Sequence, residues 1–145
     1  QMNRMVDTKF DKFIGLLELL ETNSVGEWII DKGHKGTEDD PIHFPYPIYT
    51  EVVYELIEAV YEFEHENPEY ELTKYEELFK ERGLEWGQGS MENADVSHMD
   101  AQSIMALFMG MVQSERFCDG AIMEMIKSGT VRKWLMRLKE LKERQ

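Results

Sequence analysis

The segment from Thr50 to Glu66 places carboxylates and apolar side chains on opposite sides of one predicted helix. Glutamates recur at steps of four, three, four and four residues, at Glu51, Glu55, Glu58, Glu62 and Glu66. These steps follow the helical repeat of 3.6, so all five carboxylates share one face. The other face carries Val53, Leu56, Ile57, Val60 and Phe63. A helix with a single apolar side buries that side and leaves its carboxylates at the surface.

The same spacing of apolar residues predicts further helices. We expect one over Asp7 to Leu20, a short one that opens at Thr73 and closes at Gly83, and a last one over 130–143. The longest pattern covers 97–128. Gly110 and Gly120 lie inside it and are expected to kink or break it.

Two short segments do not fit a helix. Residues 27–31 read EWIID, and Pro41 to Tyr49 carries three prolines, which exclude a helix and a central strand. We predict a short two-stranded hairpin near residues 27–31 and 42–46. The fold class is therefore mainly α, a single-domain bundle of five or six helices over residues 1–145, with Gln1 interpreted as an addition before Met2.

The charge is concentrated in one part of the chain. Residues 38–85 hold 15 acids against three bases, a balance of −12 within a total of −13, whereas residues 131–145 hold six bases against two acids. This acidity opposes direct binding to nucleic acid. No apolar run approaches the ~18 residues of a membrane span. The single cysteine, Cys118, excludes an internal disulfide and a cysteine zinc cage, so we expect a cytoplasmic protein.

Three interpretations of the acidic helix face stay open. The carboxylates form a solvated surface, or they are neutralised by the basic last helix of the same or another copy. Alternatively, they bind a basic partner. Four helical residues rise ~6 Å, close to the spacing of successive phosphates, so such a face also suits imitation of nucleic acid.

A second candidate site interrupts the apolar seam of the long helical pattern. That seam runs through positions 104, 108, 111, 115, 118 and 122, and position 115 is Glu115. Its carboxylate is expected in a buried polar network that fixes the helix. The functional alternative is a pocket in which Glu115 and Asp119 act as acid, base or ligand and Arg116 holds an anion. A third interpretation is a kink at Gly110 or Gly120 that turns Glu115 to solvent. Cys118 lies on the same seam and is expected to be a buried, inert thiol.

Metal binding has one weak sequence signal. Glu62 and His65 form the Glu-x-x-His pair used in helical di-metal sites, but a second copy of the pair is needed. An exposed histidine in an acidic patch is the other interpretation. We predict no cofactor, with a divalent metal as the alternative.

Eight of the ten methionines lie between Met91 and Met136, and five of them cover more than one side of the long helical pattern: Met105, Met109, Met111, Met123 and Met125. A helix that is apolar on several sides lies at the centre of a bundle or meets another chain. The pattern therefore indicates a central core helix, with a homo-oligomer interface as the alternative.

Several sequence blocks resemble a known family. The segment Asn93 to Leu141, with DAQ, ERFCDG and KWLMRLKE, is similar to the C-terminal half of a domain family of unknown function. The likeness extends back through GLEWG (83–87), EAVYEFE (58–64) and GEWIID (26–31). That family comprises small bacterial and mobile-element proteins. The resemblance implies a one-domain cytoplasmic protein and transfers no catalytic residue or substrate.

The leading hypothesis for function is a non-enzymatic protein-interaction module. It would bind a basic protein through the acidic helix face, form a homo-oligomer, or do both, without contacting membranes. The alternatives are a small helical enzyme, metal-dependent or hydrolytic, centred on Glu115, Arg116 and Asp119, and an acidic protein that imitates nucleic acid or counters a defence system. The sequence leaves the question of catalysis undecided and favours its absence.

Overall fold

In a computed structural model, residues 8–30, 33, 35–41 and 45–144 are described. They form seven α-helices and one two-stranded hairpin. The order is α1 (Asp11–Thr22), β1 (Gly26–Ile29), β2 (Tyr46–Tyr49), α2 (Glu51–Glu66), α3 (Tyr75–Glu81), α4 (Gln88–Asn93), α5 (Ala101–Ser114), α6 (Ala121–Lys127) and α7 (Thr130–Glu143). Two 3₁₀ turns, Pro68–Tyr70 and Leu72–Lys74, join α2 to α3. The mainly α fold with a short hairpin is confirmed.

Helix α5 lies at the centre of the bundle. Every residue from Ser103 to Val112 is buried, including Met105, Met109 and Met111. Helices α2, α3, α4, α6 and α7 all pack against it. The methionines on several of its sides are therefore core residues, which is the first of the two interpretations of the methionine pattern.

A row of aromatic rings ties the outer helices to α5. Phe63 of α2 meets Phe13 of α1 at 5.9 Å between ring centroids, and Phe13 meets Phe108 at 5.7 Å. Phe108 then contacts Trp134 of α7 edge-on, at 5.1 Å. Edge-on and tilted pairs at such distances stabilise a core beyond the area they bury. The row fixes how α1, α2 and α7 surround α5.

The long helical pattern over 97–128 is two helices rather than one. Helix α5 ends at Ser114, and α6 begins at Ala121 after Gly120, whose φ of +88° lies in the left-handed region. The indole of Trp28 lies where a side chain at position 120 would be, so only glycine fits there. This break, together with α4 in the Gly-rich segment, raises the number of helices above the predicted five or six.

The first strand of the hairpin overlaps the predicted 27–31, whereas the second strand lies later than predicted. Strand β1 pairs antiparallel with β2 from Gly26 opposite Tyr49 to Ile29 opposite Tyr46. The second strand therefore begins at Tyr46 instead of near residue 42, and residues 42–44 lie outside the described part of the chain. Pairing continues to the start of α2, where the Thr50 amide donates to the Val25 carbonyl at 3.1 Å. Pro47 is tolerated because a two-stranded sheet consists of edge strands.

Gly110 does not break α5, which continues through it to Ser114. Its small size leaves room for two neighbouring helices. A Cβ at this position would lie 2.9 Å from Phe79 of α3 and 3.1 Å from Met91 of α4. Real Cβ atoms essentially never lie within 3.0 Å of such a neighbour, so a larger residue must displace Phe79, while the contact with the Met91 sulfur would be tight. Gly110 thus allows α3 and α4 to lie close against α5.

We expect Gly110→Ala to lower the free energy of unfolding by about 1–3 kcal/mol through overpacking. Gly15→Ala is the matched control, since Gly15 is an exposed helical glycine with no atom near its missing Cβ. That control should gain ~0.5–1 kcal/mol because alanine favours helix. Urea unfolding measures both. A gain in stability for Gly110→Ala would contradict the packing of α3 and α4 on α5.

Candidate functional site

The five carboxylates of the acidic face, defined as Glu51, Glu55, Glu58, Glu62 and Glu66, lie on the outward side of α2. Glu55 is half-buried and the other four are exposed. The inward side of α2, with Val53, Leu56 and Val60, is fully buried. The sequence prediction of this helix and of its two sides is confirmed by the structure.

Two exposed tyrosines border the acidic face, and the sequence analysis did not single them out. Tyr54 is 57% exposed and Tyr61 is 43% exposed. They are seven residues apart, hence on one side of α2 next to Glu58. Tyr54 packs edge-on against Tyr49 at 6.4 Å, and the Tyr61 hydroxyl accepts a hydrogen bond from Gln113 Nε2 at 3.2 Å. The spacing of seven was the signal that could have found them.

Within the described residues, one cation pairs with the acidic face. Lys12 Nζ of α1 lies 3.0 Å from Glu62 Oε2, and both side chains are about half exposed. The hydrogen bond to Glu62 and the nearby charges of Glu58 and Glu55 raise the pKa of Lys12. No other carboxylate of the face has an ion pair in the described part of the chain. The face therefore remains strongly negative.

The basic last helix directs its ion pairs to α1 instead of α2. Arg132 Nε lies 2.5 Å from Glu21 Oε1, and Lys142 pairs with Asp11. Lys133 donates to the carbonyls of Glu92 and Ala94 at 2.9 and 3.3 Å. Among the described residues, the cations of α7 therefore do not neutralise the acidic face.

The carboxylate of Glu115 joins three parts of the fold. Its Oε1 accepts hydrogen bonds from the Tyr49 hydroxyl at 2.7 Å and from the Ile122 amide at 2.9 Å. Its Oε2 accepts from the Gly120 amide at 2.8 Å. A carboxylate that accepts from the free amides at a helix start satisfies them and complements the helix dipole. Glu115 thereby fixes β2 and the start of α6 to the end of α5.

Tyr49 is the partner that the sequence could not reveal, because it lies 66 positions away from Glu115. Its hydroxyl also accepts from the Met123 amide at 3.3 Å. Burial, followed by the hydrogen bond to Glu115 and the charge of that carboxylate, raises the pKa of Tyr49 well above its usual range. The phenol therefore stays protonated and acts as a permanent donor to Glu115.

Among the described residues, neither Arg116 nor Asp119 forms a hydrogen bond or an ion pair with Glu115. Both side chains are exposed, and Arg116 Nη1 donates to Gln113 at 3.3 Å. No ion pair links Arg116 to either carboxylate within the described chain. The expected buried thiol is wrong, since Cys118 is exposed. The physical reason is the break after Ser114, which takes residues 115–119 out of the helical seam.

The weak metal candidates stay isolated. His65 is exposed near the end of α2, and Glu62 pairs with Lys12. Across the described residues, no group of three or more His, Cys, Asp or Glu side chains is arranged to hold a metal ion. Among the same residues, no helix is both long enough and apolar enough to cross a membrane.

Residues 5–144 match a family described as a family of unknown function, DUF6508. The chain belongs to the DUF6508 family. The match spans nearly the whole chain and agrees with the resemblance seen in the sequence blocks. No curated protein and no solved structure matches this DUF6508 protein.

Removal of the Tyr49–Glu115 bond should destabilise the DUF6508 fold. We expect Tyr49→Phe to lower the free energy of unfolding by about 1 kcal/mol, and Glu115→Gln by ~1–3 kcal/mol because a charged acceptor of three bonds is lost. Asp119→Asn is the control, an exposed carboxylate in the same turn, with an effect within ~0.5 kcal/mol. Chemical denaturation monitored by circular dichroism gives all three values. Equal effects of Glu115→Gln and Asp119→Asn would contradict the capping role.

Proposed function

We propose that this DUF6508 protein is a non-enzymatic interaction module that binds a basic protein through the acidic face of α2. The observation that carries the proposal is the outward acidic face, in which five carboxylates share one ion pair among the described residues. Complementary charge steers association and selects partners. A cationic surface is the complement of this face.

The repulsion within the face supports an external partner. Like charges four residues apart cost roughly 0.2–0.5 kcal/mol per pair on a helix. The cations of α7 that form ion pairs do so with α1, so they do not relieve this repulsion. A bound basic protein would relieve it, and the gain would add to the affinity.

Tyr54 and Tyr61 add apolar contact area to a surface that would otherwise be purely charged. Large exposed phenol rings bury apolar area on contact while keeping a hydroxyl for hydrogen bonds. Tyrosine and arginine are enriched in protein interfaces, and tyrosine is common among the residues that dominate binding energy. The combined surface therefore suits a partner with lysine or arginine side chains around an apolar centre.

A symmetric dimer through the same face is disfavoured. In a two-fold interface, each copy presents the same patch, so the acidic face would meet itself. Contact between the acidic face and α7 of another copy is also weakened, because Arg132 and Lys142 already pair within the chain. Charge complementarity thus points to a different protein, and self-association becomes an outcome of the test.

Imitation of nucleic acid is a special case of this proposal. The face extends along ~22 Å of α2, with carboxylates about 6 Å apart along the axis. A protein with a nucleic-acid-binding surface would then be the basic partner. We place the interaction in the cytoplasm, since an exposed single thiol such as Cys118 suits a reducing compartment.

The carboxylate of Glu115 is already engaged in hydrogen bonds, and this supports the non-enzymatic part of the proposal. All three of its hydrogen bonds come from the fold itself, two of them from backbone amides. A general acid or base needs a free position from which to reach a substrate proton. The metal-dependent or hydrolytic alternative would require Glu115 to leave these donors.

The test replaces the charge of the acidic face and compares partner capture. Glu51, Glu55, Glu58 and Glu62 are changed together to Gln. A matched control changes four exposed glutamates on other elements, Glu69, Glu76, Glu77 and Glu81, so the net charge is the same. Captured proteins from the source cell are identified and quantified by mass spectrometry, and the leading one is purified for titration with each variant.

We expect the acidic-face variant to bind the purified basic partner at least about tenfold more weakly, and the control to bind nearly as the wild type. Added salt should weaken wild-type binding, because exposed charges are screened. Equal binding by both variants would contradict the proposal. Capture of the protein itself alone would replace the basic partner with self-association, and displacement by duplex DNA would support the nucleic-acid-like case.

A further inference from the structure

A cavity of about 490 Å³ lies between α7 and the segment that joins α4 to α5. One side of α7 lines it through positions 129, 132, 133, 136, 137 and 140, while residues 93–97 form the facing wall. The steps of three and one along α7 describe a single helix face, distinct from the core face with Trp134 and Leu138. Volumes in this range suit small ligands.

Arg137 lines the cavity and lacks part of its hydrogen bonding. The residue is only 6% exposed, and its Nε donates to the Met99 carbonyl at 2.9 Å. Its Nη1 is buried without any acceptor. A buried guanidinium nitrogen without a partner is costly, and buried polar groups in folded proteins are nearly always paired. Because Nη1 itself is buried, an acceptor bound in the cavity would meet this donor once the Arg137 side chain turns toward it.

The lining of the cavity carries more positive than negative charge. Arg132, Lys133 and Arg137 face two carboxylates, Asp95 and Glu140, in a chain whose net charge is −13. One Asp95 oxygen already accepts from the amide and the hydroxyl of Ser97, at 3.0 and 2.7 Å. Arg132 pairs with Glu21, and Lys133 donates to two uncharged backbone carbonyls, so the charges of Lys133 and Arg137 are the ones left to attract an oxyanion.

A second unmet group lies next to this cavity. Glu92 Oε1 is buried without a donor, and Glu92 lines an adjoining space of about 240 Å³. The two spaces share Asn93, Gly129 and Lys133 as lining residues. Arg137 thus lacks a hydrogen-bond acceptor and Glu92 lacks a donor. A ligand that carries both kinds of group would satisfy both residues.

We propose that this cavity binds a small molecule that carries an oxyanion, a phosphate or a carboxylate, together with an amine or hydroxyl donor. The oxyanion accepts hydrogen bonds from the guanidinium of Arg137 and lies near Lys133, as planar guanidinium groups match such oxygens well. The donor of the ligand meets Glu92. The site is formed by α7, the end of α4 and the segment that joins α4 to α5, and it does not include α2. It therefore stands or falls independently of the acidic face.

The probes are inorganic phosphate, O-phosphoserine and glutamate, each titrated by calorimetry against chloride at equal ionic strength. The variants are Lys133→Gln and Arg137→Lys, with Lys139→Gln as the control because Lys139 is exposed on α7 and does not line the cavity. Arg137→Lys keeps the positive charge and removes the planar pair of guanidinium N–H donors that binds two oxygens at once. Circular dichroism checks that each variant is folded. If Arg137→Lys does not fold, the binding affinity of Lys133→Gln alone decides the test.

We expect saturable binding of at least one oxyanion, stronger for a probe that also carries an amine than for inorganic phosphate. Binding should weaken at least about tenfold in Lys133→Gln and in Arg137→Lys, and stay unchanged in Lys139→Gln. Preference for O-phosphoserine over glutamate assigns a phosphate ligand, and the reverse preference assigns a carboxylate. No saturable binding beyond chloride, or equal loss in the Lys139→Gln control, would overturn the proposal.

Discussion

The burial of α5 on every side is the constraint on which the rest of this fold depends. Ten consecutive residues, from Ser103 to Val112, are buried, so this helix has no side that faces water. Such a helix is stable only when other elements cover it all round. Helices α2, α3, α4, α6 and α7 provide that cover. Each of them has one apolar side to offer, and each therefore turns its polar side outward.

This arrangement explains how a surface with unrelieved repulsion persists in a folded protein. Helix α2 uses its apolar side on α5, so its glutamates have no inward position available. Helix α7 packs against α1, which brings Arg132 to Glu21 and Lys142 to Asp11. The acidic and basic helices of the chain are thus separated by α1. The packing therefore leaves the carboxylates of α2 without cations from α7, in a chain that holds 16 bases against 29 acids.

The helices that could be predicted were those marked by a regular spacing of apolar residues within one segment. The spacing of apolar residues was sufficient for α2 and α7, because their burial follows a helical period within one segment. The break at 115–120 does not follow from that period. Gly120 was expected to kink or break the pattern, but the shape of the turn depends on Tyr49 and Trp28, which approach from the hairpin. Glu115 was correctly singled out as a polar residue in an apolar seam. Its role required the distant tyrosine and the start of α6 to be known.

The site around Arg137 shows a second limit of reading one sequence. Arg137 lies between Trp134 and Leu138 in a helix rich in bases, and nothing local separates it from its exposed neighbours. Its burial arises because residues 93–99 fold back over α7 and Met99 accepts from its Nε. By contrast, Tyr54 and Tyr61 were within reach of pattern reading, because their spacing placed them beside the glutamates already identified.

The central claim is that the acidic face is held outward by the packing on α5 and that its carboxylates, apart from Glu62 with its ion pair to Lys12, do not stabilise the fold. The measurement that tests it most directly is the free energy of unfolding of a Glu58→Gln, Glu66→Gln double variant at low and high ionic strength. We predict that the variant is more stable than the wild type by ~0.5–1 kcal/mol at low salt, since repulsion with Glu55 and Glu62 and the unfavourable position of Glu66 at the helix end are removed. Salt should shrink that difference. A loss of stability of about 1 kcal/mol or more would show that these carboxylates hold the fold together, and would contradict the account.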